Sequence, residues 1–577
     1  MLKEGNENLA KPQKDSQDED TIEPIESCPV LAYREPLPTN ARLTNKYLLH
    51  GLQPKMPINV ADGSSLQNPP ESLIKSQNAL ADRLYATYAT LATLPVPHLM
   101  RPVCQWLGLR LLGRGDQKQA ARYFAQAIGN AACGLFTSML SSKIKIEDVA
   151  QSLRTTYAVS APYDSSTYLI SNWKSIPPTN VIQLMLVDEL GQLSSFEGCD
   201  ENGSQSASDL IAGGLGARKQ LHLIATRWFL GETDACIESR VIHKFSSVGP
   251  HYMRELEDLQ NQNNSSMLES DRRQFWAQRF SLDSRLKNLI DGIRNDCFTT
   301  EELQWIKQKA DSQMSIHDRP TVLILDRQLT LLPWEWIIWG QLDECDQNCS
   351  VPTVCRNFSL TLLIGHQSLK KFNVAKFNSD SAFYVVNPEA NLPSTEETFQ
   401  SYFTQHFPKW SGIYGRMPQP DEVVEGFVQK DLFVYLGHGN GSKCLMPTFD
   451  EGVNSKAVAF IIGCSSGRPR IEGRHEAYAS VFNHLISGAP TAVTLMWDVT
   501  DKDIDRFTQC FLDNWIRSKE IGEDENGDKE NNEAESSRLT MTWKIFKSTK
   551  VCKLQSLVGK SVIVYGLPAV PIFSHAH

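Results

Sequence analysis

Two short strings carry the most reactive side chains of this sequence. Gly437-His438-Gly439 follows the apolar run Asp431-Leu-Phe-Val-Tyr-Leu436, and Gly463-Cys464-Ser465-Ser466-Gly467 follows Ala457-Val-Ala-Phe-Ile-Ile462. Each run has the length and composition of a buried strand. A histidine between glycines lies where backbone can approach a ligand closely, and imidazole is the commonest general base. A cysteine placed just after a strand, before a Gly-rich turn, becomes a nucleophile when a base stands close enough to take its proton. Singly, each string has an ordinary structural reading: a histidine in a βα turn, a buried thiol. Neighbouring parallel strands would set the two side chains together, and that pairing points to thiol catalysis.

A third string, Trp497-Asp498-Val-Thr500-Asp501-Lys-Asp503-Ile-Asp505, holds four acids. Thr500 and Asp503 have the spacing of a capping box. Ile504, Phe507, Phe511 and Trp515 then recur at helical spacing, so a helix is expected to begin there. Acids favour a helix N-terminus, but four exceed what one cap needs, and they suit a pocket for Arg or Lys. A serine reading competes, because Gly463-x-Ser465-x-Gly467 is also the nucleophile-elbow pattern of α/β-hydrolases. That fold needs a histidine after its acid. Only His575 and His577 follow, and His438 would have no role.

The elements that must position these groups alternate along the chain. Ala382–Val386, Ala492–Met496 and Ser561–Tyr565 read as further buried strands, separated by helical stretches. Continuous apolar strands of this kind form an α/β sheet covered on both faces, with functional groups at the carboxyl ends. Upstream, Val181–Val187, Leu221–Thr226 and Thr321–Leu325 read as strands, the first two as neighbours, and the polar run Asn261–Ser266 as a loop within a helical insertion. Residues 72–160 read as helical, with Asp116 as an N-cap and Ala120, Phe124, Ala127 and Ile128 on one face. No repeat period is found.

Composition bounds the rest. The chain has 577 residues, 41% hydrophobic and 21% charged, with net charge −10. This is ordinary globular composition with room for several domains. The mild acidity argues against a broad nucleic-acid surface, and no direct nucleic-acid motif is found. No apolar run reaches the ~20 residues of a membrane span, and the first 27 residues hold no signal core, so a soluble, intracellular protein is expected. Thirteen cysteines fit free thiols in a reducing compartment. Cys345, Cys349 and Cys355 lack zinc spacing, and Asp524, Asn526 and Asp528 lack the remainder of a calcium loop, so no metal and no cofactor are expected. Residues 1–40 read as a disordered tail. Residues 519–538, with eight acids and three bases, read as a disordered acidic insertion.

Longer strings converge on one family. Tyr435-Leu-Gly-His438-Gly, Gly463-Cys464-Ser-Ser-Gly467 and Met496-Trp-Asp-Val-Thr-Asp-Lys-Asp-Ile-Asp505 closely resemble the separases, which are caspase-like cysteine endopeptidases. Leu325-Asp326, Leu332-Pro-Trp-Glu335, Asn387-Pro388 and Tyr565-Gly-Leu-Pro568 share the resemblance. It covers roughly residues 165–577. It implies an α/β, caspase-like sheet flanked by helices in a catalytic domain at 376–577. A non-catalytic caspase-like substrate domain would precede it at 165–375, and a helical N-terminal region at 41–164. It implies Cys464 as nucleophile, His438 as base, and the amides of Gly439 and Cys464 as oxyanion hole. Asp505 would receive the substrate Arg, with Asp498, Asp501, Asp503 and Trp497 as further candidates around that pocket.

The family cleaves the kleisin subunit of cohesin after Arg, at E-x-x-R-type sites, at anaphase. The resemblance therefore implies a securin-type inhibitor and action in cytoplasm and nucleus, around chromosomes or the spindle. The short N-terminal part resembles the fly-type forms and implies a separate large helical subunit. Ser466-Gly467-Arg468-Pro-Arg470 departs from the family pattern by its basic residues. Glu269-Ser-Asp-Arg272 and Glu535-Ser-Ser-Arg538 fit E-x-x-R, but about as often as chance gives, so they are weak support for self-cleavage. A catalytically inactive caspase-like scaffold is the alternative, and the intact His438 and Cys464 speak against it.

Overall fold

The runs of Val, Ile, Leu and Phe pair into one 11-stranded mixed sheet. The computed structural model describes residues 71–93, 97–129, 177–188, 221–231, 237–308, 319–340, 352–370, 374–445, 454–471, 476–517 and 540–572. The expected N-terminal tail, the acidic insertion, Cys345, Cys349 and both C-terminal histidines lie outside them.

Helices α1 (Glu71–Thr93), α2 (Pro97–Gly113) and α3 (Gln117–Gln126) precede the sheet. The carboxylate of Asp116 accepts from the Gln119 amide at 3.1 Å and caps α3 as expected. Ala120, Phe124, Ala127 and Ile128 are all buried. Strands β1 (Thr179–Asp188), β2 (Leu221–Leu230) and β3 (Ile237–Ile242) form an antiparallel ribbon. Helices α4 (His243–Ser266) and α5 (Arg272–Cys297) follow as a long hairpin. Asn261–Ser266 is therefore helix, not the loop that its polarity suggested. Its side chains serve tertiary contacts, and Asn263 and Ser266 are buried.

Then come α6 (Thr300–Lys307), β4 (Thr321–Leu325), α7 (Trp334–Trp339), β5 (Val354–Asn357), α8 (Leu360–Lys370) and β6 (Ala375–Asn378). The last third holds β7 (Ala382–Val386), α9 (Pro393–His406), β8 (Ser411–Tyr414), α10 (Pro420–Gln429), β9 (Leu432–Leu436) and β10 (Val458–Ile462). It closes with α11 (Val481–Ile486), β11 (Thr491–Leu495), α12 (Asp501–Leu512), α13 (Met541–Ser548), β12 (Val562–Gly566) and β13 (Ala569–Ile572).

The strand order is β3-β2-β1-β4-β5-β12-β11-β10-β9-β7-β8, and β6 pairs with β13 in a separate two-stranded sheet. Every residue of β4, β9, β10, β11 and β12 is buried, which is why these strands read as unbroken apolar runs. The sheet is not wholly parallel, since β12 runs antiparallel to β11. β12 meets β5 at Tyr565 and Arg356, so one sheet runs across both sides of residue 375.

Two of the family-like strings secure this junction. Arg356, buried on β5, holds Glu335 through two bonds of 2.7 Å and also donates to the carbonyls of Thr330 and Leu332. Asp326 accepts from Arg101 of α2 at 2.6 Å and from the Leu186 amide at 3.2 Å, and so ties the N-terminal helices to β1. In the last third of the chain, the rings of Phe460, Phe511 and Trp515 stack between β10 and the carboxyl end of α12 with the turn that follows it. Each buried ring contributes roughly 1.5–3 kcal/mol, enough to hold α12 and its acidic N-terminus in place. Among the described residues, no helix is long and apolar enough to cross a membrane.

Candidate active site

β9 and β10 are adjacent and parallel, with Leu436 opposite Ile462. The backbone therefore delivers Gly437-His438 and Gly463-Cys464 side by side at the carboxyl edge of the sheet. Both pairs line one cleft, together with Leu392, Thr395, Val499, Asp501 and Asp505. Gly463 is obligatory here: a Cβ would sit 1.9 Å from the carbonyl oxygen of Gly439. Gly439 itself has φ +60°, the left-handed region that glycine adopts without strain. The Tyr435 hydroxyl donates to the His438 carbonyl at 2.8 Å and fixes the turn from below.

The Cys464 thiol is half-buried and donates to the Val499 carbonyl at 3.6 Å. Burial, followed by the carboxylates of Asp498 and Asp501, pushes its pKa up to about 11, against the opposing charge of Arg279. At neutral pH it is a thiol, so attack requires a base. The exposed imidazole of His438 lines the same cleft.

The four acids part ways. Asp505, on the first turns of α12, lines the cleft; burial raises its carboxyl to about 7, and Thr395 donates to it at 2.8 Å. Asp501 lines the same cleft and is exposed. Asp498 instead accepts from the Ser465 hydroxyl at 2.6 Å. Asp503 is buried and accepts from the amides of Lys553 and Leu554 at 2.8 and 2.9 Å and from Arg506 at 2.8 Å. Asp503 thus anchors a distant loop. It cannot close the expected capping box, and Thr500 makes no side-chain cap. Trp497 is buried and donates through Nε1 to the Leu557 carbonyl at 2.6 Å, so it supports the loop from outside the cleft.

Ser465 has φ +55°, the sharp turn of an elbow, but its hydroxyl is donated to Asp498 and it does not line the cleft. Arg468, whose basic charge departs from the family pattern, donates to Gln260 of α4 at 2.7 Å. The cleft leaves a cavity of about 20 Å³, room for about one water, so an arginine side chain enters only if its walls part. A larger, open depression of about 500 Å³ around Arg240, Glu301 and Trp305 lies on β3 and α6 and holds no nucleophile. Among the described residues, no cluster could hold a metal ion.

Sequence reasoning did not find Thr395, Val499, Asn263 or Arg279. Thr395 sits on α9, far from Asp505 in the chain. Val499 acts through its carbonyl, which any residue supplies. For these no sequence signal exists.

A sheet with histidine and cysteine on the ends of adjacent parallel strands, walled by helices, has the architecture of a caspase-like fold. Residues 297–504 match the family described as Separin, protease domain. That stretch of the chain is thus similar to a separin protease domain. It is 32% identical over 292 residues to separin of Emericella nidulans, covering 49% of this chain and 13% of that protein. Mouse separin is 29% identical over 260 residues, covering 45% of this chain and 11% of that protein. The alignments therefore span little more than a tenth of these relatives. The fold is similar to that in the Saccharomyces cerevisiae separase–securin complex, with TM-score 0.59 at 16% identity, covering 88% of this chain and 38% of that chain.

Proposed function

We propose that this chain is a cysteine endopeptidase that cleaves after arginine, with the kleisin subunit of cohesin as substrate. The observation that carries the reading is one cleft holding His438, Cys464 and the buried Asp505. His438 takes the Cys464 proton, and the thiolate attacks the carbonyl carbon of the substrate arginine. The amides of Gly439 and Cys464 receive the oxyanion as charge develops on it. The imidazolium returns its proton to the leaving amine, which leaves a thioester. Water, deprotonated by His438, attacks that thioester and releases the carboxylate and the free thiol. Asp505 pairs with the arginine guanidinium, and Asp501 lies at the same cleft.

The partners that fit this reading are a securin-type inhibitor and a separate large helical subunit. The places of action are cytoplasm and nucleus, near chromosomes or the spindle. The likeness to a separase–securin complex supports the inhibitor.

The test is labelling of Cys464 by a peptide acyloxymethyl ketone ending in Arg, with the chain alone and with candidate helical partners. Labelling that both His438→Ala and Cys464→Ala abolish is the expected result. Labelling of another residue, or cleavage retained in both variants, refutes the assignment.

A further inference from the structure

The tip of the α4–α5 hairpin touches the catalytic loop through side chains that have no other evident use. Arg279 of α5 is fully buried. Its Nη1 donates to Asn263 Oδ1 and, at 3.4 Å, to the Ser266 hydroxyl. Its Nε and Nη2 find no acceptor among the described residues. Leaving donors of a buried cation unmatched is costly, so the site is held against a stability preference. Asn263, also buried, donates through Nδ2 to the Asp498 carbonyl at 3.0 Å. The Asp498 carboxylate in turn accepts from Ser465, the neighbour of Cys464, at 2.6 Å. A second rail runs alongside. Asp283 of α5 accepts from the amides of Ser556 and Leu557 at 2.8 and 2.7 Å, and the Leu557 carbonyl accepts from Trp497.

We propose that Arg279 and Asn263 are positioning residues for the nucleophile: the hairpin sets the height and angle of the Cys464 elbow through Asp498. The proposal rests on Cys464 being the nucleophile. Arg279 brings a fixed positive charge to a neighbourhood of carboxylates. Its charged neighbours are Cys464, Asp498, Asp283 and Asp503. Those of Cys464 are Asp498, Asp501 and Arg279, with His438 across the cleft. The cation therefore offsets two carboxylates that oppose formation of the thiolate. The hairpin lies on the amino-terminal side of residue 375 and the nucleophile on the other. A catalytic half cut away from that side would keep its dyad and lose its alignment.

The experiment is carried out on the full chain. The rate of Cys464 alkylation by iodoacetamide is followed from pH 6 to 10 in wild type, Arg279→Lys, Arg279→Gln and Asn263→Ala. Cleavage of an Arg-containing peptide and the thermal midpoint are measured alongside. The range lies below the Cys464 midpoint, so Arg279→Gln should lower the alkylation rate about tenfold at each pH, and Arg279→Lys should restore most of it. Asn263→Ala should lower kcat about tenfold with KM little changed. Variants that lose thermal stability while the alkylation rate at each pH and kcat stay at wild-type values overturn the proposal and leave these residues purely structural. Wild-type alkylation that maps to a cysteine other than Cys464 sinks the nucleophile assignment instead, so the two failures are separable.

Discussion

Arginine capture by Asp505 should be switched by pH across neutrality. Burial holds the empty carboxyl near 7, whereas an arginine guanidinium can pair only with the ionised form. Binding must therefore release a proton at low pH and none at high pH. About nine-tenths of Asp505 is ionised at pH 8 and about one-tenth at pH 6, which is roughly a tenfold loss of affinity, or about 1.4 kcal/mol. Folding has the opposite sign. A carboxyl raised from 3.8 to about 7 stabilises the empty fold fully below its ordinary value, and that contribution disappears as pH rises through about 7. The assay is fluorescence anisotropy of an Arg-ended peptide on the Cys464→Ala chain between pH 6 and 8. The same chain with His438→Asn removes the imidazole from the cleft. Affinity should rise with pH while the thermal midpoint of the empty chain falls. Asp505→Asn should flatten the pH profile and weaken binding at pH 8 by about 2 kcal/mol. Equal affinity at pH 6 and pH 8, or a slope that survives in Asp505→Asn, refutes the reasoning.

Other changes separate chemistry from scaffold. Gly463→Ala forces a Cβ onto the Gly439 carbonyl, and should cost about 2–3 kcal/mol and abolish Cys464 labelling; a labelled, stable variant would contradict the close approach. Asp503→Ala strands the amides of Lys553 and Leu554, and should lower Tm by roughly 6–12 °C, about 3 kcal/mol, without changing arginine selectivity. A change in selectivity would return Asp503 to the pocket. Arg356→Met leaves Glu335 buried and unpaired at a loss of about 3–5 kcal/mol, and Arg356→Met with Glu335→Leu should recover most of it in denaturant melts.

The strands that hold the site were legible because they are buried on both faces and so read as plain apolar runs. Val458–Ile462 and Leu432–Leu436 need no context to be recognised. The short strands β5, β6, β8 and β13 were not, for each has four residues and three of them are only half apolar. His438 and Cys464 stood out because glycines flank them at strand ends. The acids were found as a group but could not be sorted. Asp503 and Asp505 lie two residues apart in one helix, and only tertiary structure brings Leu554 to the first and Thr395 to the second. The asparagine-rich run at 261–266 misled for a related reason. Local composition favours a turn, but Asn263 has partners on α5 and at Asp498 that stabilise it within a helix.

The dyad's separation is a property of the sheet lattice. Because Leu436 and Ile462 are in register, the strand ends that lead to His438 and Cys464 stand one interstrand step apart, about 4.8 Å. Slipping one strand by a residue would turn its side chains to the opposite face, and slipping by two would shift them about 6.6 Å. No small adjustment exists along that coordinate. Fine control of this chemistry is left to the few residues past each strand, Gly437–Gly439 and Gly463–Ser465, and to whatever presses on them from outside the sheet.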